Sequence, residues 1–134
     1  PADVIAMANL SGSISTVANS FVGVGSGGTL VSLPFGSWST SSTGWRSYIA
    51  IQNLGSSAEI TVNYYDEAGN IDYTNTWTGV GTGVKVNTKP SAFTSSAWQG
   101  GVEITSDQPV QALVNVSRVD STFAGIYTGV VAED

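Results

Sequence analysis

The chain has 134 residues, 10% of them charged, with four Lys and Arg against ten Asp and Glu for a net charge of −6. So few basic residues exclude the phosphate-binding stripe that a nucleic acid partner requires. The absence of Cys and His excludes disulfides, thiol chemistry, His-based triads and imidazole metal sites, and no run of eighteen apolar residues offers a helix for membrane insertion.

Strand signals run the length of the chain, and no long segment has helical periodicity. The first strand is expected at Val4–Leu10, apolar on both faces. Phe21–Val24 and Thr29–Leu33 follow, separated by the run Gly25-Ser26-Gly27-Gly28, and then a Ser/Thr-rich loop, Pro34–Gly44, that contains Trp38. Trp45–Asn53 alternates, with Ile49 and Ile51 on one side and Tyr48, Ala50 and Gln52 on the other. The clearest unit is a hairpin: Ala58, Ile60, Val62 and Tyr64 share one face, and the turn Asp66–Asn70 has Gly69 where a positive φ is needed. Its returning strand is expected to turn Ile71, Tyr73 and Trp77 inward. Val84–Val86 reads as a short strand and Pro90–Trp98 as a loop with room for one helical turn. Val102 and Ile104 mark another strand, and Asp107-Gln108-Pro109 turns into the closing pair, Val110–Val116 and Ile126–Val131. Eight to ten such strands predict an all-β fold, an antiparallel β-sandwich of Ig-like or Greek-key type.

The closing pair occurs twice. Val4–Val24 aligned with Val110–Val130 at a constant offset of 106 has nine identities in 21 positions, among them Asn9/Asn115, Ser11/Ser117 and Gly23/Gly129. Composition alone gives about one or two at a random offset. The domain reading is therefore an N-terminal arm, residues 1–24, that duplicates the last strand pair, followed by a β-sandwich repeat, residues 25–134. The arm carries Ile5 and Met7 where the other copy has Gln111 and Leu113. A strand apolar on both faces is expected to be covered on both. No charge stands between Asp3 and Arg46, and low charge is a mark of covered interface. The richness in Ser, Thr, Gly, Asn, Trp and Tyr fits an extracellular or cell-surface setting, and the lack of an initiator Met and of a signal-like n-region reads as a mature chain.

Three stretches, YIAIQNLGSSAEITVNYYDEAGN, GGVEITSDQPVQALVNV and IYTGV, together resemble the tandem β-sandwich repeats of large secreted bacterial surface proteins. The likeness spans roughly Thr29–Val130. It implies an extracellular structural or adhesive role and no catalytic residues, so no enzyme activity and no cofactor is expected. Those repeats stack covalently, whereas this chain holds one unit and a fraction. A single unit that builds the same object must stack non-covalently, which points to a pilus-like filament subunit.

The expected mechanism is β-augmentation, in the manner of donor-strand complementation, with the chain itself as partner in a homopolymer. Val4, Ile5, Ala6, Met7, Ala8, Leu10, Phe21, Val22 and Val24 are the expected subunit interface, and Gly25, Gly27 and Gly28 the hinge. Each large apolar member is worth about 1.5–3 kcal/mol on full burial. The alternative is a monomeric adhesin or carbohydrate-binding module that holds a surface polysaccharide on Trp38, Trp45 and Trp98. A third possibility is a fragment of a longer tandem protein. Asp66, Asn70 and Asp72 lack a recognisable calcium-loop pattern, so no metal is expected. The sequons at Asn9 and Asn115 follow from the duplication itself.

Overall fold

The computed structural model describes residues 7–11, 18–22, 27–90, 97–120 and 124–132. Ten strands follow in chain order: β1 (Met7–Ser11), β2 (Ala18–Val22), β3 (Gly28–Trp38), β4 (Trp45–Asn53), β5 (Ala58–Tyr65), β6 (Ile71–Val80), β7 (Lys85–Thr88), β8 (Trp98–Arg118), β9 (Ala124–Thr128) and β10 (Val130–Val131). Every pairing among the described strands is antiparallel.

The longest strand, β8, is the spine. Its first half lies between β3 and β5, with Val102 opposite both Leu33 and Tyr64. Its second half lies between β4 and β9, with Val114 opposite Ile49 and Tyr127. Outside these, β6 pairs with β5, β7 with β4 and β10 with β3. A bridge from Trp38 to Arg46 ties the end of β3 to the start of β4. The expected antiparallel all-β class is what forms. Where two separate Ig-like sheets were expected, pairing runs on through β8 as one nearly closed, barrel-like sheet.

The reason is local to residues 107–109, expected to be a turn between two strands. Here β8 bends without ending. Asp107 Oδ1 accepts from the Glu59 N–H at 2.8 Å, Gln108 Oε1 accepts from the Ser56 N–H at 3.1 Å, and the Leu54 N–H donates to the Pro109 carbonyl at 2.8 Å. Pro109 has no N–H to offer a ladder, so a bend is where a strand tolerates it. The extra residues of the opposing loop, 54–57, absorb the bend and let β4 and β5 follow one another along the same side of β8.

The core sits inside the curved sheet. Ala58, Ile60, Val62 and Tyr64 of β5 are buried as their alternation requires, as are Ile49 and Ile51 of β4, and Val31, Leu33, Val102, Ile104, Val110 and Val114 complete the centre. At about 1.5–3 kcal/mol per fully buried large aliphatic side chain, these residues supply the main driving force. Two sequence expectations are corrected. Ile71 is 53% exposed, because a bulge sets it opposite the outward Tyr65 while Tyr73 stays opposite the inward Tyr64. The extra residue, Asp72, accepts a hydrogen bond from Trp98 Nε1 at 3.1 Å. Pro34–Trp38 is strand, the second part of β3, and the loop begins only at Ser39.

Candidate functional site

The duplication seen in the sequence is also a duplication of structure. In the N-terminal hairpin Met7 pairs with Val22, Ala8 with Phe21, Asn9 with Ser20, Leu10 with Asn19 and Ser11 with Ala18. In the C-terminal hairpin Leu113 pairs with Thr128, Val114 with Tyr127, Asn115 with Ile126, Val116 with Gly125 and Ser117 with Ala124. Adding 106 to each residue of the first set reproduces the second, pair for pair. A one-residue slip would turn every side chain to the opposite face, so a shared register means that the two hairpins present equivalent positions on equivalent faces.

Their surroundings differ. The C-terminal hairpin is built into the sheet along β4, whereas β1 and β2 form a two-stranded sheet of their own that pairs with no other described strand. The backbone of β2 lies beside β9, its own duplicate, without joining it in a ladder. Of the expected interface, Met7, Ala8 and Leu10 fall in β1 and Phe21 and Val22 in β2; Val4, Ile5, Ala6 and Val24 lie outside the described residues, as does Gly25 of the expected hinge.

Gly27 and Gly28 have a role other than the hinge expected of them. Gly28 opens β3 opposite Val110, and a Cβ there would stand 2.3 Å from Val131 Cγ1. A Cβ on Gly27 would stand 2.5 Å from the Val110 carbonyl oxygen. Both glycines permit close backbone approach, Gly28 as the first residue of β3 and Gly27 just before it.

Asn53, Gly55 and Gln108, from two of the stretches quoted above, meet at one corner, and their work there is structural. Asn53 is fully buried; its Nδ2 donates to the carbonyls of Ser56 at 2.5 Å and Val80 at 2.8 Å, and its Oδ1 accepts from the Gly55 N–H at 2.9 Å. One amide thus staples the β4–β5 connection to the end of β6, beside the Asp107–Gln108 bend. Asp66 organises the opposite turn by accepting from the backbone N–H groups of Asn70 and Ala68. The Asn70 backbone bond, followed by the Asn70 side chain, holds its carboxyl below the usual carboxylate range. Among the described residues no group of acidic side chains is placed to hold a metal ion.

The three tryptophans named for sugar binding line one open groove of about 680 Å³, together with Ser37, Ser39, Asp66, Glu67 and Gln99. Their rings are not equally available. Trp38 and Trp98 are each only 8% exposed, against 38% for Trp45. The Arg46 guanidinium lies over the Trp38 ring at 4.5 Å, and Trp98 packs edge-on against Tyr64. Trp38 and Trp98 therefore offer edges, and Trp45 offers the open surface. Trp45 also borders a smaller apolar recess of about 300 Å³ with Phe35, Val116, Ala124 and Gly125, beside the start of β9. Sequence reasoning missed this recess, because Phe35 stood in a presumed loop and its neighbours come from three other strands.

No protein-family model and no curated protein matches the sequence. Among solved structures the fold is similar to that in the crystal structure of Thermotoga maritima 1070, with a TM-score of 0.64 at 15% identity over 80% of this chain and 97% of that one. At that identity the likeness establishes shared architecture, and the chain's function has to be argued from its own residues.

Proposed function

We propose that this protein is an extracellular structural subunit of the bacterial surface-repeat type, an antiparallel all-β protein without catalytic activity that self-assembles into a filament or fibrous surface layer. The observation that carries this reading is the common register of the two hairpins. A second closing hairpin, built to the same pattern as the first, finds no place beside β4 among the described residues, because β4 is already paired along its length with β8. Adding that hairpin to another copy gives a head-to-tail contact, which propagates into an open fibre unless rotation closes it into a ring. The test is deletion of residues 1–24 followed by negative-stain electron microscopy. Filaments are expected from the intact chain and not from the truncated one; unchanged filaments would reject the arm as connector.

A second reading, a surface polysaccharide bound at the tryptophan groove, is favoured by the convergence of Trp38, Trp45 and Trp98 with Ser37, Glu67 and Gln99. Stacking on Trp45 and hydrogen bonds from the rim are the means available to it. Pull-down on insoluble polysaccharides with and without Trp45→Ala tests it, and equal retention of the two proteins sinks it.

A further inference from the structure

We infer that the outer face of β4, between β7 and the second half of β8, is a binding groove for an acidic polysaccharide, with Lys85 and Lys89 holding its carboxylates and Tyr48 meeting a sugar ring. This goes beyond both readings above, since it needs neither self-assembly nor the tryptophan groove. Strand alternation builds the groove. Ala50 of β4 sits between Asn87 of β7 and Leu113 of β8, Tyr48 stands opposite Asn115, and Lys85 stands opposite Gln52. Over the small Ala50 side chain these strands leave a depression of about 540 Å³, within the range of ligand sites. Ala50 and Leu113 line it, flanked by two amides, two ammonium groups and the Tyr48 ring, which is 40% exposed.

Charge singles this face out. The chain has four basic residues, and all of them gather on β4 or its neighbours. Arg46 is in β4, Arg118 is opposite Trp45, Lys85 is opposite Gln52, and Lys89 follows β7 by one residue. Glu59, Asp66, Glu67, Asp72, Glu103 and Asp107 stand elsewhere, on β5, β6, the turn between them and the first half of β8. Arg118 is spent on Asp120 at 3.0 Å. Among the described residues no carboxylate lines the groove, and neither Lys85 nor Lys89 forms an ion pair. The Lys89 ammonium is held at one end, 5.8 Å from the centre of the Tyr48 ring and 5.7 Å from that of Trp38. In a chain of net charge −6, an unneutralised basic groove is complementary to an anion.

The kind of anion follows from the strands. Residues 49–52 of β4 are paired on both sides, to β7 and to β8, so their backbone has nothing left to form a ladder with a peptide. Recognition is left to a ring, two amides and two ammonium groups, which suit a sugar ring, its hydroxyls and a carboxylate. Lys85 and Lys89 are four residues apart, about 13 Å at the rise of a strand. A polymer with carboxylates repeated along it reaches both, and a single acidic sugar reaches one. A second copy of this chain fits less well, because its Asp66, Asp72, Glu103 and Asp107 carboxylates are already hydrogen-bonded at home.

Equilibrium binding of the intact chain to immobilised polygalacturonate tests this, at pH 7 and about 0.1 M salt, where a Debye length of about 10 Å screens the distant acidic residues. Binding is expected, and full methyl esterification of the polymer should weaken it at least about fivefold, as should Lys85→Gln/Lys89→Gln. Lys85→Arg/Lys89→Arg should restore it, and Tyr48→Ala should weaken it with the charges intact. Both lysines are exposed, and matching urea midpoints check that the variants fold. No binding, equal binding of the methyl ester, or tighter binding of polyglutamate overturns the inference. So does binding that survives the double glutamine substitution but is lost in Trp45→Ala, which assigns the polymer to the tryptophan groove instead. A double glutamine variant that binds the polymer normally yet loses self-association makes this face a contact between copies, and overturns the inference as well.

Discussion

Replacing Asn53 by alanine is expected to cost this protein a large share of its stability, although the residue lies at no groove or edge. The side chain is fully buried and makes two close donor contacts, to Ser56 and Val80, and accepts one from Gly55. Alanine removes all three and leaves two carbonyls and one N–H poorly satisfied. At about 1 kcal/mol per bond, or more where the abandoned group stays dry, the loss is about 3–4 kcal/mol. Against the 5–15 kcal/mol typical of a domain this is severe, and it corresponds to a fall in Tm of about 10–15 °C. Urea unfolding followed by tryptophan fluorescence measures it. A second substitution checks the cause. Asn53→Asp keeps the acceptor for Gly55 but turns a carboxylate toward the carbonyls of Ser56 and Val80, so it should be worse than alanine at neutral pH. It should recover as pH falls, because the protonated acid donates again. A cost below about 1 kcal/mol for Asn53→Ala would refute the staple.

Three other outcomes are expected. Tyr64, buried and donating to or accepting from Thr88 Oγ1 at 2.6 Å, has its phenol pushed up to about 12, mainly by burial. Its folded value lies above the unfolded one near 10, so its stabilisation is complete below pH 10 and about 2–3 kcal/mol is lost as pH rises toward 12. Tyr64→Phe should remove that alkaline slope and cost about 1–2 kcal/mol at pH 7, which pH-dependent denaturation resolves. Gly129→Ala brings a Cβ to 2.4 Å from Val31 Cγ1 and 2.9 Å from Leu33 Cδ2, while a Cβ on Gly125 meets nothing within 4 Å. The first should cost about 1–3 kcal/mol in urea midpoint and the second under about 0.5. Met7→Asp should abolish filaments by electron microscopy while leaving the unfolding midpoint of the main sheet unchanged.

Much of this architecture was legible in the residues. Strict alternation placed Ile60, Val62 and Tyr64 inside, and the 106-residue duplication anticipated a hairpin whose pairing register then proved common to both copies. What escaped has physical reasons. Ile71 followed the period-2 pattern on paper, but one bulge at Asp72 moves it to the other face, and a bulge has no signature in polarity. The Asp-Gln-Pro triplet carries strong turn signals and does bend the chain. Whether the bend ends a strand depends on partners from residues 54–59, about fifty positions away in sequence. For the candidate site, Trp38, Trp45 and Trp98 were named together and do line one groove. Their unequal exposure comes from Arg46 and Tyr64, which composition cannot position. That β2 comes to lie beside β9 was not legible at all, since it depends on how the whole sheet curves.

The spine has a consequence for how the chain acquires its shape. β8 holds β3, β4, β5 and β9, yet it occupies residues 98–118, and its pairing of Val110 with Gly28 spans most of the chain. Upstream of it only local hairpins and the short β4–β7 ladder can form before those residues arrive. Such non-local closure makes folding slow, in milliseconds to seconds. A nascent chain stays pliable until β8 has emerged, whereas β1 and β2, which pair with each other, need no later strand to close their own two-stranded sheet.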